Sequence, residues 1–113
     1  MSKANNIADS KFGFQFSLNI ATNSTFIIDQ YASFDYTILS AVYQTSSGTV
    51  TANVKINGTS VTGLSELSLT SSEAGPTSAT ALNDVVEGDT VVVTLSSNSN
   101  AVDVSIKLNC VRR

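Results

Sequence analysis

Reactive side chains are few in this chain, and their spacing argues against a catalyst. There is no histidine, which removes the commonest general base and the commonest transition-metal ligand. The single cysteine, Cys110, has no imidazole partner to activate it, so a Cys–His nucleophile is excluded, and no intramolecular disulfide can form. Cys110 lies in an apolar C-terminal run and reads as a small buried hydrophobe. The nine acids are scattered, whereas a glycosidase needs two carboxylates facing each other across the scissile bond. Asp84, Glu87 and Asp89 do cluster. Oxygen ligands that close can bind Ca²⁺, but the spacing matches no calcium loop, and acidic residues are common in turns that precede strands. Tyr31, Tyr36 and Tyr43 could stack on sugar rings if exposed. Sugar-binding sandwiches usually expose tryptophan, which is absent, so core or interface packing is the favoured role. No Gly-rich phosphate loop opens a helix. The expectation is a protein that is not an enzyme, with no catalytic residues, no cofactor and no metal.

Composition narrows the class further. At 113 residues the chain is the size of one domain. Hydrophobic residues make up 42%, enough for a core. Charged residues make up only 13%, and Ser, Thr and Asn carry the polar surface. A surface of hydroxyls and amides suits close packing against other proteins. The net charge of −3 gives no basic stripe to track phosphates, so nucleic-acid binding is not expected. The N-terminal MSKANNIADS lacks the apolar core of a signal peptide, and no apolar run approaches the ~20 residues of a membrane helix. Synthesis and folding in a cytoplasm, with no membrane partner, are expected. Asn23-Ser24-Thr25 and Asn57-Gly58-Thr59 match the glycosylation pattern, which means little without export.

The elements that must carry these residues are strands. In residues 48–56, Val50, Ala52, Val54 and Ile56 alternate with Thr51, Asn53 and Lys55, the period of a strand with one buried face. Asn57-Gly58 then supplies a type I′ hairpin turn, and residues 59–62 return. Residues 11–20, KFGFQFSLNI, alternate without a break, with Phe12, Phe14, Phe16, Leu18 and Ile20 on one face. Residues 25–31 and 34–45 read as strands. In the latter Phe34, Tyr36, Ile38 and Val42 share one face, and Leu39, Ala41 and Tyr43 the other. Residues 64–70 read as a short strand with Leu67 and Leu69 inward. Residues 71–78, around Pro76, read as a loop. Residues 79–82 read as a short edge strand, 83–89 as a turn with Gly88 at positive φ, and 90–96 and 102–111 as the last strands. Eight or nine strands without helical periodicity predict an all-β, single-domain, two-sheet β-sandwich of jelly-roll or immunoglobulin-like order over residues 11–113, preceded by a polar arm over residues 1–10.

Two stretches break the alternation. Phe26-Ile27-Ile28 and Val91-Val92-Val93 are apolar on both faces. A valine on an outer face needs a cover, worth roughly 1.5–3 kcal/mol each. A second subunit is the simplest cover; a sheet edge beneath a loop is the alternative. An oligomer is therefore expected, as a trimer, with Ile7, Lys11, Phe26, Ile28, Val91 and Val93 as interface candidates.

Residues 36–95 resemble small β-sandwich modules of tailed-bacteriophage virions. The resemblance lies in SGTVTANVKINGTSVTGLSEL, a strand running into Asn57-Gly58, a short return and Gly63-Leu64, and in the strand entry Val85-Val86-Glu87-Gly88-Asp89-Thr90-Val91. It covers about half the chain and consists mainly of turn chemistry. Such modules occur in tail and head fibres and as stand-alone capsid decoration proteins. The chain shows no shaft repeats, so the resemblance implies a decoration (cement) protein: a partner of the major capsid protein, located in the virion, that adds buried area across shell joints. The alternatives it leaves open are a fibre or receptor-binding module meeting host glycans through residues 71–78, and a head–tail connector component.

Overall fold

The computed structural model describes residues 10–113. The spine is β9 (Val91–Arg112), a 22-residue strand. Its two halves alternate cleanly, burying Val91, Val93 and Leu95 at one end and Val104, Ile106, Leu108 and Cys110 at the other. Between them lies a polar, small-residue stretch in which Ser97, Asn100 and Asp103 take left-handed backbone, at φ 53°, 54° and 52°. Asn and Asp tolerate that region because their short side chains bond locally. Three such residues bend the strand in its middle.

Each half of β9 has its own neighbours, all antiparallel. The C-terminal half pairs with β1 (Lys11–Ile20) on one side and β3 (Tyr36–Gln44) on the other. The N-terminal half pairs with β2 (Thr25–Asp29) and β4 (Ser47–Ile56). One continuous sheet thus folds over into two layers. Phe16 is opposite Ile106 and Phe26 opposite Val93, at different ends of β9, yet their rings are 5.3 Å apart. The all-β two-layer sandwich expected from the sequence is what the chain forms.

The corner is stitched by Asn98, whose amide nitrogen donates to the Ala21 carbonyl at 2.8 Å and whose Oδ1 accepts from Ala101 N at 3.0 Å. Gly48 turns the β3–β4 ribbon over the same corner at φ 72°. A Cβ there would sit 2.2 Å from the Asn100 carbonyl oxygen, so only glycine fits.

The far edges are short. β5 (Thr59–Ser60) and β6 (Leu67–Leu69) flank β4; β7 (Ala74–Ser78) and β8 (Asp84–Val85) flank β3. The Asn57-Gly58 turn has both φ values positive, 51° and 85°, as its type I′ chemistry predicts, and Leu67 and Leu69 are buried. Other expectations need correction. Residues 74–78 are a strand, not part of a loop. Proline is acceptable there because the strand is an edge, and the Gly75–Pro76 bond is cis. Residues 79–82 make only an isolated bridge, Thr62 with Ala81. In β3 the pairing with β9 slips between Ile38 and Ser40. That bulge exchanges faces: Tyr36 and Ile38 point inward before it, Ala41 and Tyr43 after it, while Leu39 is exposed and Val42 leaves the core face.

Candidate functional site

The sandwich is closed on one side and open on the other. Along the β5–β8 side, inward residues such as Val61, Leu64, Leu69 and Val85 are fully buried. Along the β1/β2 side they are not. Phe12, Phe14, Phe16 and Leu18 of β1, Phe26 and Ile28 of β2, and Phe34 all pack on the core but stay half-buried. The reason is positional: among the described residues β1 and β2 are outermost strands, so their inward side chains have in-layer neighbours on one flank only. All five phenylalanines of the chain therefore line one open edge. Edge-on ring contacts knit them, with Phe12 5.2 Å from Tyr36 and 5.5 Å from Phe34. The Arg112 guanidinium lies 4.3 Å from the Phe34 ring centroid, a cation–π contact that caps one end. Ile20, at the other end of β1, is 73% exposed.

The interface candidates scatter on this frame. Ile7 lies outside the described residues. Lys11 is exposed at the start of β1. Phe26 and Ile28 belong to the half-buried edge. Val91 and Val93 do not face a partner at all: both are at 0% exposure in the core. The doubly apolar stretches resolve by simple alternation. Phe26 and Val93 face inward in register, and Ile27 and Val92 form the outward pair, with Ile27 57% exposed. The correction therefore falls on Val91 and Val93, which face the core, while Phe26 and Ile28 stay at the edge; Ile20 and Ile27 are the exposed apolar residues of β1 and β2. Periodicity tells which residues share a face, not which face is covered.

Several groups with chemical potential are committed to structure. Asp89 accepts from Val86 N at 2.9 Å and from the Asn57 amide at 2.8 Å, which ties the 86–89 turn to the Asn57 hairpin. Asp84 accepts from the Thr37 hydroxyl at 2.7 Å and lies 3.9 Å from Arg113 Nε. Glu87 contributes its backbone N–H to Asp35 at 2.8 Å. Among the described residues no three metal-binding side chains converge. Cys110 is buried, and burial, aided by the negative charge of Asp29, pushes its thiol up to about 12. A thiol so disfavoured as thiolate is no nucleophile. Tyr36 is buried and its hydroxyl donates to Asp29 Oδ2 at 2.8 Å. Burial, then that hydrogen bond and charge, raises its pKa well above the usual tyrosine value. Tyr43 is buried against Thr77. Only Tyr31, 68% exposed, is placed to meet a ligand.

A shallow hollow lies on the outer face of the layer formed by β1, β3 and the C-terminal half of β9. Gln15, Gln44, Glu73, Ser105, Lys107 and Asn109 are among the residues that line about 310 Å³. Gln15 donates to the Ser105 hydroxyl at 2.9 Å, and Asn109 to Ser40 at 3.1 Å.

No protein-family model matches the sequence, and no curated protein matches it. Solved structures do resemble the fold. A chain of the acid-stable capsid of Helicobacter pylori bacteriophage KHP30 superposes with TM-score 0.51 at 5% identity, covering 91% of this chain and 87% of that one. A family 35 carbohydrate-binding module from Clostridium thermocellum gives TM-score 0.45 at 13% identity, covering 89% and 97%. A chain of Bacillus endospore appendages, a family of disulfide-linked pili, gives 0.44 at 18%, covering 91% and 88%. The likeness to the capsid chain is one of fold, an all-β sandwich spanning nearly the whole chain.

Proposed function

We propose that the chain is a non-catalytic structural component of a virion, and within that class a capsid decoration protein. The observation that carries the reading is the open β1/β2 edge: five phenylalanines left half-buried on a chain in which Asp84, Asp89 and the Cys110 thiol are tied into its own fold. Apolar surface of that extent is worth covering by a neighbour, at roughly 25 cal/mol per Å² removed from water. A decoration protein would use it to add buried area where shell subunits meet, and so stabilise the assembled state by mass action. The chain-wide fold likeness to a phage capsid chain and the turn chemistry of residues 47–67 support the same reading. Its partners under this proposal are the major capsid protein and copies of itself.

Purified virions test it. Gel densitometry should give hundreds of copies per particle, and density for the sandwich should lie on the outer shell. A few copies at a fibre tip, or at the head–tail junction, would replace decoration by receptor binding or connection.

Receptor binding is the second reading, and one observation favours it. The polar hollow lined by Gln15, Glu73, Ser105, Lys107 and Asn109 has the donors and acceptors a neutral glycan uses. A glycan-array screen in which the wild type binds and Lys107→Ala does not would select it.

A further inference from the structure

The open edge is described above by its side chains. Its backbone specifies a partner. We propose that β1 pairs with β1 of a second copy, antiparallel, about a two-fold axis at Phe16.

Sheet edges recruit strands unless they are guarded by charge, proline, bulges or shortness. β1 has none of these guards beyond its first residue. It is ten residues long, pairs with β9 without a register shift, and carries no charge or proline from Phe12 to Ile20. The opposite edges are guarded: β5 and β8 have two residues each, β6 has three, and the five of β7 include Pro76. A ring of three joined edge to edge would need β1 on one of those or on β2, which has five residues, ends in the charged Asp29 and carries a register shift. Self-pairing of β1 needs only β1.

The direction of the backbone groups agrees. Arg112 N donates to the Ser10 carbonyl at 3.0 Å, beside the Lys11–Val111 pair. In an antiparallel ladder this turns the even-numbered residues of β1 toward β9. The N–H and C=O groups of Gly13, Gln15, Ser17 and Asn19 then point out of the edge, ready for a second strand.

Register follows from the faces. Directly opposed residues in antiparallel strands share a face, so Phe12, Phe14, Phe16, Leu18 and Ile20 must meet one another. Centring on Phe16 sets Phe16 against its own copy, Phe14 against Leu18 and Phe12 against Ile20. It thereby covers Ile20, which is 73% exposed in the single chain. On the outer face Gly13 meets Asn19 and Gln15 meets Ser17, all neutral, and the two Lys11 ammonium groups lie at opposite ends. A strand about 33 Å long on a sandwich about 20 Å thick covers roughly 1,300 Å² over both partners, within the range of specific interfaces.

Sedimentation of the full chain tests this without any virion component, so its outcome is separate from that of the decoration reading. A reversible species of twice the chain mass is expected. Ser17→Pro removes an outward N–H that β9 does not use; it should give a monomer with an unchanged circular dichroism spectrum. Gln15→Lys with Ser17→Lys places like charges opposite each other and should weaken dimerisation at least about tenfold at low salt; this pair decides the matter if the proline variant fails to fold. A wild-type monomer at about 100 µM, above the micromolar upper end of Kd values for specific interfaces, would overturn the proposal. So would a trimer, or a dimer that survives the lysine pair.

Discussion

The hydroxyl of Tyr36 donates to Oδ2 of Asp29 at 2.8 Å, although their partners on β9 are Arg112 and Val91, the two ends of that strand. This one bond clasps the two layers where the folded sheet comes back on itself. Phe12 and Phe34 wall it in.

The clasp predicts an alkaline weakness. Burial raises the folded pKa of Tyr36 above its ordinary value of 10.0. The unfolded phenol therefore ionises first. The stabilisation is fully present below pH 10 and is lost as pH rises further. Tyr36→Phe should cost about 1–2 kcal/mol at pH 7, since it leaves Asp29 without its donor. It should also flatten the loss of stability above pH 10. Urea unfolding at pH 7, 9 and 11, wild type against variant, reads both effects; equal alkaline slopes would remove Tyr36 as their source.

Cys110 adds a second term of the same sign. Its thiol is raised from 9.0 to about 12, so its contribution is present below pH 9 and disappears between pH 9 and 12. The native thiol should react with a disulfide reagent at least about 100-fold more slowly than the unfolded chain. Reaction at the unfolded rate in the native state would place Cys110 at the surface.

The parity of the β2–β9 pair is tested by neighbouring valines. Val93 is at 0% exposure, so Val93→Ala should cost about 2 kcal/mol through the cavity it leaves. Val92 pairs outward with Ile27, and Val92→Ala should stay within about 0.5 kcal/mol. Chemical denaturation of the two variants distinguishes the faces; a reversed order would restore Val93 as an outward residue.

That pair also marks how much the sequence could tell. Strict alternation made β1 and β4 legible residue by residue, because a period of two leaves one buried face to choose. Asn57-Gly58 made the hairpin legible because its chemistry is local. Leu39 was not legible: a bulge inserts one residue, and nothing in YTILSAVYQ says where the parity flips. β7 was hidden because Gly75 and Pro76 look like a loop unless the strand is known to be an edge. The open side was hidden for the same reason. That Phe12, Phe14 and Phe16 face the core is a local fact. That β1 lacks an outer neighbour among the described residues is a property of the whole topology.

Glycines at the two turns should respond differently. At Gly48, φ is +72° and a Cβ would meet the Asn100 carbonyl at 2.2 Å, so Gly48→Ala must push the corner apart and should cost more than about 3 kcal/mol. At Gly58, φ is +85° and nothing lies within 4 Å. Gly58→Ala pays only for left-handed backbone, about 1–2 kcal/mol. Thermal unfolding of the pair separates crowding from strain, and equal shifts would mean that the corner yields freely.

Asp89 offers the last discrimination, between a cation site and a loop tie. Its two oxygens accept from Val86 N and the Asn57 amide, and Asn57 Oδ1 in turn accepts from Thr90 N at 2.9 Å. A carboxylate used this way holds the 86–89 turn against the hairpin without a metal. Asp89→Ala should therefore lower stability by about 1–3 kcal/mol, the cost of leaving those donors unpaired, whether or not Ca²⁺ is present. A chelator should leave the wild-type melting temperature unmoved, and millimolar Ca²⁺ should not raise it. If Ca²⁺ stabilises the wild type and not Asp89→Ala, these oxygens exchange their loop partners for a cation, and the turn is a binding site after all.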